Sequence, residues 1–422
     1  MLTRRQMLKT TGGGALAAGA ATLGAAGASF PGTASAASPP ASPIPGLDPV
    51  LPQGLRDAAV LDKLPGKVPL IKLSYRPPNY ETPVNYFNTL FTPNDAFFVR
   101  YHLANIPEVD AAKWRLKIGG EGAEKPFELT LGQLKKDFPA VEIAAVCQCS
   151  GNRRGLFPAH VPGVQWGYGA MGNAKWKGAR LKDLLERAGI AKDAVEIVFD
   201  GADGPVLDKT PDFVKSLPVW KALEENALVA YEMNGAPLPH FNGFPARLVI
   251  PGWTATYWLK HIASIDVRKT PFDGFWIKSA YRVPNGKFPS VQRFISQETA
   301  VNTPITEIVV NSMITSLADG QTIGAGKATE IKGIAWDAGY GIASVELSSD
   351  GGKSWTTATL GEDAGKFSFR QWSFGFTPGK AGTYALMVRA SNKIGQTQAS
   401  ELILNPAGYN HNVMQRVTVQ AA

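Results

Sequence analysis

Beyond Thr303 the chain reads as a succession of short strands. The runs "EIVVNSMITSL", "ATEIKGIAWD", "IASVELSSDGGKSWTTATL", "KFSFRQWSFGFT", "GTYALMVRASN" and "HNVMQRVTVQ" are strand-like and turn-bounded. Within "SSDGGKSW", Gly351 and Gly352 can supply the positive φ that a tight hairpin needs. Such a segment is expected to close as an all-β, immunoglobulin-like sandwich.

From about Asn85 to about Pro289 the pattern is mixed. Short strands such as "WRLKIGGEG" and "AVEIVFDG" alternate with helical pieces such as "LTLGQLKKDF" and "RLKDLLERAG", with no regular βαβ repeat. This predicts an irregular α+β domain on a mostly antiparallel or mixed sheet. Before it, "SPPASPIPGLDPVLPQG" reads as a tether or surface arm. The expected organisation is a leader over 1–36, a Pro/Ala-rich arm over 37–84, an α+β domain over 85–289 and the sandwich over 290–422.

The leader pairs Arg4 with Arg5, continues in a weakly apolar Gly/Ala run and reaches Ala34-Ser35-Ala36, small residues suited to cleavage. It reads as a twin-arginine signal peptide, which carries folded proteins and suits an enzyme loaded with cofactor before export to the periplasm. No later stretch is long and apolar enough to span a bilayer. The net charge of +8 is spread without a long basic run, which argues against a nucleic-acid partner.

Both cysteines lie in "VEIAAVCQCSGNRRGLFP". The first half has the content of a buried strand. Our reading places Cys147 and Cys149 on opposite strand faces, badly aimed for a disulfide. Two inert core thiols, half of a zinc site, or one buried and one chemical cysteine are the alternatives. No second Cys/His cluster completes a zinc site. Arg153 and Arg154 would favour thiolate in a nearby cysteine, and a soft thiolate suits a transition metal. The chain contains no C-x-x-C-H, so no c-type haem attachment is expected.

Six motifs then occur in order: "FFVRYH", "CSGNRR", "GVQWGYGAMGNAKWKGARLKDLL", "AYEMNGAPLPHFNGFPARLVIPG", "YWLKHI" and "FWIKSAYRVP". Together they resemble the sulfite oxidase family of molybdenum enzymes, from about residue 85 to the C-terminus, and most of all its bacterial periplasmic sulfite dehydrogenases. The resemblance implies a mixed-sheet molybdopterin domain followed by an immunoglobulin-like dimerisation domain, in a homodimer or heterodimer. It places Cys149 as the cysteinyl molybdenum ligand and leaves Cys147 to core packing. Arg100 and Arg154 match arginines of the sulfite pocket, whose forked donors fit an oxyanion. Tyr281 matches the tyrosine facing the reacting oxygen, and Trp166 a pocket wall. Phe98, Val99, Arg100, His102, Asp203, Asn242, Arg247, Trp258 and Lys260 match cofactor contacts, with Arg247 and Lys260 neutralising the phosphate.

Three positions depart from the family pattern. Tyr101 stands where asparagine is frequent, Asn242 where histidine is frequent, and Ala407 where a pocket arginine is frequent. The implied activity is oxidation of sulfite to sulfate by oxygen-atom transfer at molybdenum–molybdopterin. With no haem in the chain, electrons would leave to a separate c-type cytochrome. Two alternatives stand beside it: another molybdopterin oxotransferase acting on a sulfoxide or a different sulfur compound, and a non-enzymatic periplasmic binding protein.

Overall fold

Ala140–Gln148 forms a nine-residue strand whose last four residues are buried. It pairs antiparallel with Met171–Arg180, which pairs with Leu228–Met233; that strand in turn takes Arg247–Val249 on one side. Three of these strands therefore end where Cys147, Cys149 and Arg247 must meet. The structure, a computed structural model, describes residues 60–288, 294 and 297–422. The leader, residues 37–59 of the arm and the domain boundary near 289 lie outside the described residues.

A second sheet runs in the order Lys215–Pro218, Glu196–Gly201, Ile262–Arg268, Arg115–Gly119, Phe127–Thr130. Only the pair Ile262–Arg268 with Arg115–Gly119 is parallel, so the sheet is mixed as expected. Helices Leu131–Asp137 and Leu181–Ala188 fall where the sequence suggested. The first starts with a reciprocal capping box between Thr130 and Gln133. The second buries Leu181, Leu184, Leu185 and Ala188, an i, i+3, i+4, i+7 stripe.

Residues 61–84, expected as part of a surface arm, are instead woven into the fold. Leu61–Asp62, Leu70–Ser74 and Asn79–Glu81 make a sheet with Val99–Arg100, the strand carrying the first motif. Leu70 and Tyr80 are buried against Val99 and Tyr101. Proline-rich composition concealed the alternation in "LIKLS".

Beyond residue 302 two sheets share one apolar core. One holds Asn311–Ile314, Thr329–Trp336, Arg370–Phe376 and Thr359–Leu360; the other is built on Ile342–Ser348, Gly382–Asn392 and Gln415–Ala421. Ile314, Ile331 and Trp372 from the first pack with Val345, Leu386, Val388 and Val419 from the second. The hairpin at Gly351-Gly352 has φ of 75° and 92° at those residues.

Candidate active site

Cys147 and Cys149 both line one cleft of about 690 Å³, part of it open to solvent. Their expected placement on opposite faces is wrong. A strand alternates with a period of two, so residues i and i+2 look the same way. Both are free thiols. Cys147 lies 3.8 Å from Nη2 of Arg247, and burial pushes its thiol up to about 11. It belongs to the main hydrophobic core, as expected, and at the same time forms part of the wall of the site.

The rear wall is cationic. Arg247 is buried; its Nη1 donates to the Asn242 carbonyl at 3.0 Å and its Nη2 to the Trp258 carbonyl at 2.9 Å, while Nε has no partner. The guanidinium sits 5.0 Å from the Trp176 ring and 5.8 Å from that of Trp258. Lys260 rests over the Tyr101 ring and donates to the Arg100 carbonyl. Burial and the charge of Arg247 push its ammonium well below the usual lysine range, and Asp203 opposes that. Burial raises Asp203, which Lys260 counters.

Asn242 donates to the Phe98 carbonyl at 3.1 Å and accepts from Nζ of Lys67 at 2.5 Å. Lys67 also donates to the carbonyls of Asn94 and Phe97. This buried lysine, lowered by burial to about 7, was not anticipated. A lone Lys in "LPGKVPL" carries no local signal, and its partners are distant in sequence.

The front of the cleft holds the remaining chemistry. Arg100 donates to Oδ1 of Asn79 at 3.2 Å. His102 stacks on Phe213 with centroids 3.6 Å apart, and its Nε2 is hydrogen-bonded to the Tyr281 hydroxyl. Burial, with Arg100, Lys260 and Lys215 nearby, drives the imidazole well below its ordinary range, so it is neutral. Tyr281 adopts φ of 56°, a conformation that persists only where surroundings enforce it. They do: beyond His102, Tyr409 stacks on it at 5.4 Å and 9°, and Lys215 lies 5.3 Å from its ring. Burial raises the phenol; Arg100 and Arg154 draw it back.

Arg154, Trp166 and Val99 are not among the residues lining this cleft. Arg154 sits behind it, 5.1 Å from the Tyr409 ring, donating from Nε to the Ala407 carbonyl at 2.8 Å and from Nη1 to the Val164 carbonyl at 3.0 Å. Trp166 is fully buried in the core, and Val99 packs in the apolar cluster of the small N-terminal sheet to which it belongs. Arg153 turns away from the cysteines toward the sandwich. Tyr409, two residues past Ala407, backs the site by stacking on Tyr281, and like the cleft-lining Phe213 and Thr256 it carries no local mark in the sequence.

The donor set fits an anionic, hydrogen-bonding group that takes one thiolate to a metal. Arg247 Nε and Thr256 Oγ1 are buried polar atoms of the cleft without partners. Among the described residues no three of His, Cys, Asp and Glu gather to hold a metal unaided.

Comparison with known proteins agrees. The oxidoreductase molybdopterin binding domain matches residues 102–276, and the Mo-co oxidoreductase dimerisation domain residues 302–422. Sulfite oxidase of Arabidopsis thaliana is 32% identical over 328 residues, covering 74% of this chain and 81% of that protein. Mitochondrial sulfite oxidase of Homo sapiens is 36% identical over 306 residues, covering 70% of this chain and 54% of that protein. The chain thus spans about half the length of several curated relatives it matches. The sulfane dehydrogenase SoxCD from Paracoccus pantotrophus shares the fold, with a TM-score of 0.71 at 24% identity, covering 85% of this chain and 87% of that one.

Proposed function

Because the chain belongs to the sulfite oxidase family of molybdopterin enzymes, we propose that it oxidises sulfite to sulfate in the cleft between Cys149 and Tyr281. Bound molybdenum–molybdopterin supplies the oxygen-atom transfer and two-electron chemistry. The observation that carries this reading is the convergence of Cys149, Arg100, His102, Arg247, Lys260 and Tyr281 on one cleft.

Each residue has a task. Cys149 offers its thiolate to the metal. Arg247 and Lys260 hold the cofactor phosphate, and Asp203 accepts from ring N–H groups. Phe98, Asn242 and Trp258 wall it in. Arg100 presents a fixed positive fork to the substrate oxyanion. Neutral His102 accepts from, or donates to, the Tyr281 hydroxyl and so can hold a proton at Nε2. Electrons leave to a separate carrier, a c-type cytochrome. Export through the twin-arginine leader to the periplasm and assembly as a homodimer complete the proposal; changing Arg4 and Arg5 to lysine is expected to keep the protein in the cytoplasm.

The test is sulfite kinetics of Arg100→Gln. A fall in kcat/KM of about 10²-fold, mostly in KM, is expected from loss of a charged hydrogen bond in a dry pocket. An unchanged sulfite KM would remove sulfite as substrate.

A second reading rests on a specific observation. Arg154 is committed to two backbone carbonyls, and the nearby run "LILNPAGYN" carries no charge. Fewer free cations favour a sulfur compound of lower charge than sulfite. Faster turnover of such a compound than of sulfite would select this reading.

A further inference from the structure

The turn bearing Cys149 is gripped from the side remote from the cleft by the C-terminal sandwich. Trp336 donates from Nε1 to Oε1 of Gln148 at 2.5 Å. Arg153 donates from Nη1 to Oδ1 of Asn311 at 2.5 Å and from Nη2 to the Ser312 carbonyl at 3.1 Å. The Asn410 N–H reaches the Ser150 carbonyl at 3.4 Å. Residues on both sides of Cys149 are therefore tied to the sandwich.

Arg153 is the unusual member. Its side chain has no solvent exposure, its Nε finds no acceptor, and its backbone has φ of 68°. It lies 4.8 Å from the Tyr168 ring and 5.6 Å from that of Trp336. Both hydrogen bonds go to neutral acceptors. A well-packed apolar side chain would stabilise such an interior at least as well as a buried cation. What the guanidinium adds is geometry: a rigid fork that fixes the register of the turn against the strand Asn311–Ile314. Asn311 is itself fixed, accepting from Gln398 at 3.2 Å and donating to the His411 carbonyl at 3.0 Å.

We propose that Arg153 is a positioning residue, and that the Arg153–Asn311 and Gln148–Trp336 contacts make the sandwich part of the metal site by setting where the Cys149 sulfur sits. This rests on Cys149 being the metal ligand. The domain that matches a dimerisation model then has a second role, coupling its own packing to the reaction centre.

The test compares full-length Trp336→Phe, Asn311→Ala and Arg153→Lys with the parent protein. Trp336→Phe removes the donor but also one ring of a buried indole, so Asn311→Ala, which breaks the Arg153 contact from the sandwich side and leaves the turn itself unaltered, is the variant that remains informative if Arg153→Lys fails to fold. In holoenzyme, the thiolate-to-metal absorption maximum is expected to move and kcat to fall by about 10-fold, with sulfite KM within about 2-fold, because misplacement by a fraction of an ångström acts on the reaction rather than on anion binding. In protein produced without molybdopterin, alkylation of Cys149 by iodoacetamide is expected to accelerate several-fold. Variants that lower only the melting temperature, with absorption, kcat and alkylation unchanged, would overturn the proposal. Failure of the ligand assignment looks different: Cys149→Ser would then retain molybdenum.

Discussion

Nε of Arg154 donates to the carbonyl of Ala407 at 2.8 Å, tying the turn after Cys149 to the last loop of the chain. The two arginines that the family resemblance assigned to the sulfite pocket are thus placed differently. Arg100 lines the cleft and spends Nη1 on Asn79 Oδ1 and the Tyr101 carbonyl, whereas Arg154 lies outside the cleft lining and spends Nε and Nη1 on the Ala407 and Val164 carbonyls. Arg154→Gln is expected to lose about 2–3 kcal/mol of stability, the scale of a buried hydrogen bond from a charged donor. Its sulfite KM should change less than that of Arg100→Gln. Urea unfolding and steady-state kinetics of the two variants check this; a larger KM effect at Arg154 would reverse the assignment.

The Arg154 guanidinium occupies space that only glycine leaves. A Cβ on Gly163, at φ of 122°, would lie 2.7 Å from Nη1, and one on Gly151 would lie 2.6 Å from it. Gly163→Ala combines a strained backbone with that collision. A cost of about 1–3 kcal/mol is expected for the backbone conformation alone. Thermal unfolding should show it, and an unchanged melting temperature would contradict the backbone strain at 163 as well as the collision with Arg154.

Acid should destabilise the fold through its buried histidines. Burial holds His261 and His411 down to about 3, against an ordinary 6.5. Nδ1 of His261 donates to the Phe244 carbonyl at 2.6 Å, leaving Nε2 to accept from the Tyr101 hydroxyl at 2.7 Å. Both groups bind protons in the unfolded chain before they do in the folded one. Their contribution is thus full above about pH 6.5 and is lost as pH falls toward 3, each approaching about 1.4 kcal/mol per unit. His411→Phe should flatten this acid limb. Denaturation curves between pH 7 and 5 that keep the parent slope would contradict it.

The two thiols should separate in function although they share a cleft. Cys149→Ser is expected to abolish activity. Cys147→Ala should keep the fold and the metal, with an activity loss of only a few-fold, since its raised thiol stays protonated at neutral pH. Molybdenum content and kcat of each variant measure this. A metal-free Cys147→Ala would make Cys147 the ligand.

Much of this site was legible because its residues sit in short, dense motifs. "CSGNRR" announces a strand end, a turn and two cations, and the sandwich announces itself by period-two runs between turns. The errors came from elsewhere. Cys147 was set on the wrong face by a mistaken strand geometry, not by a missing signal. The sheet at 61–84 was hidden by prolines. Lys67 and Tyr409 were invisible because their roles arise from partners far along the chain: Lys67 meets Asn242, and Tyr409 meets Tyr281. The opposite duties of neighbouring Arg153 and Arg154 follow from a left-handed residue at 153, which the sequence does not mark.

In the proposed function Cys149 holds molybdenum and sulfite reduces that metal within the cleft. Anaerobic addition of sulfite to the purified, folded protein, with the thiolate-to-molybdenum absorption followed, tests it most directly. Bleaching of that band is expected in the parent protein, bleaching only at far higher sulfite in Arg100→Gln, and no band in Cys149→Ser. A band that persists in Cys149→Ser, or one that sulfite leaves untouched in the parent protein, would contradict it.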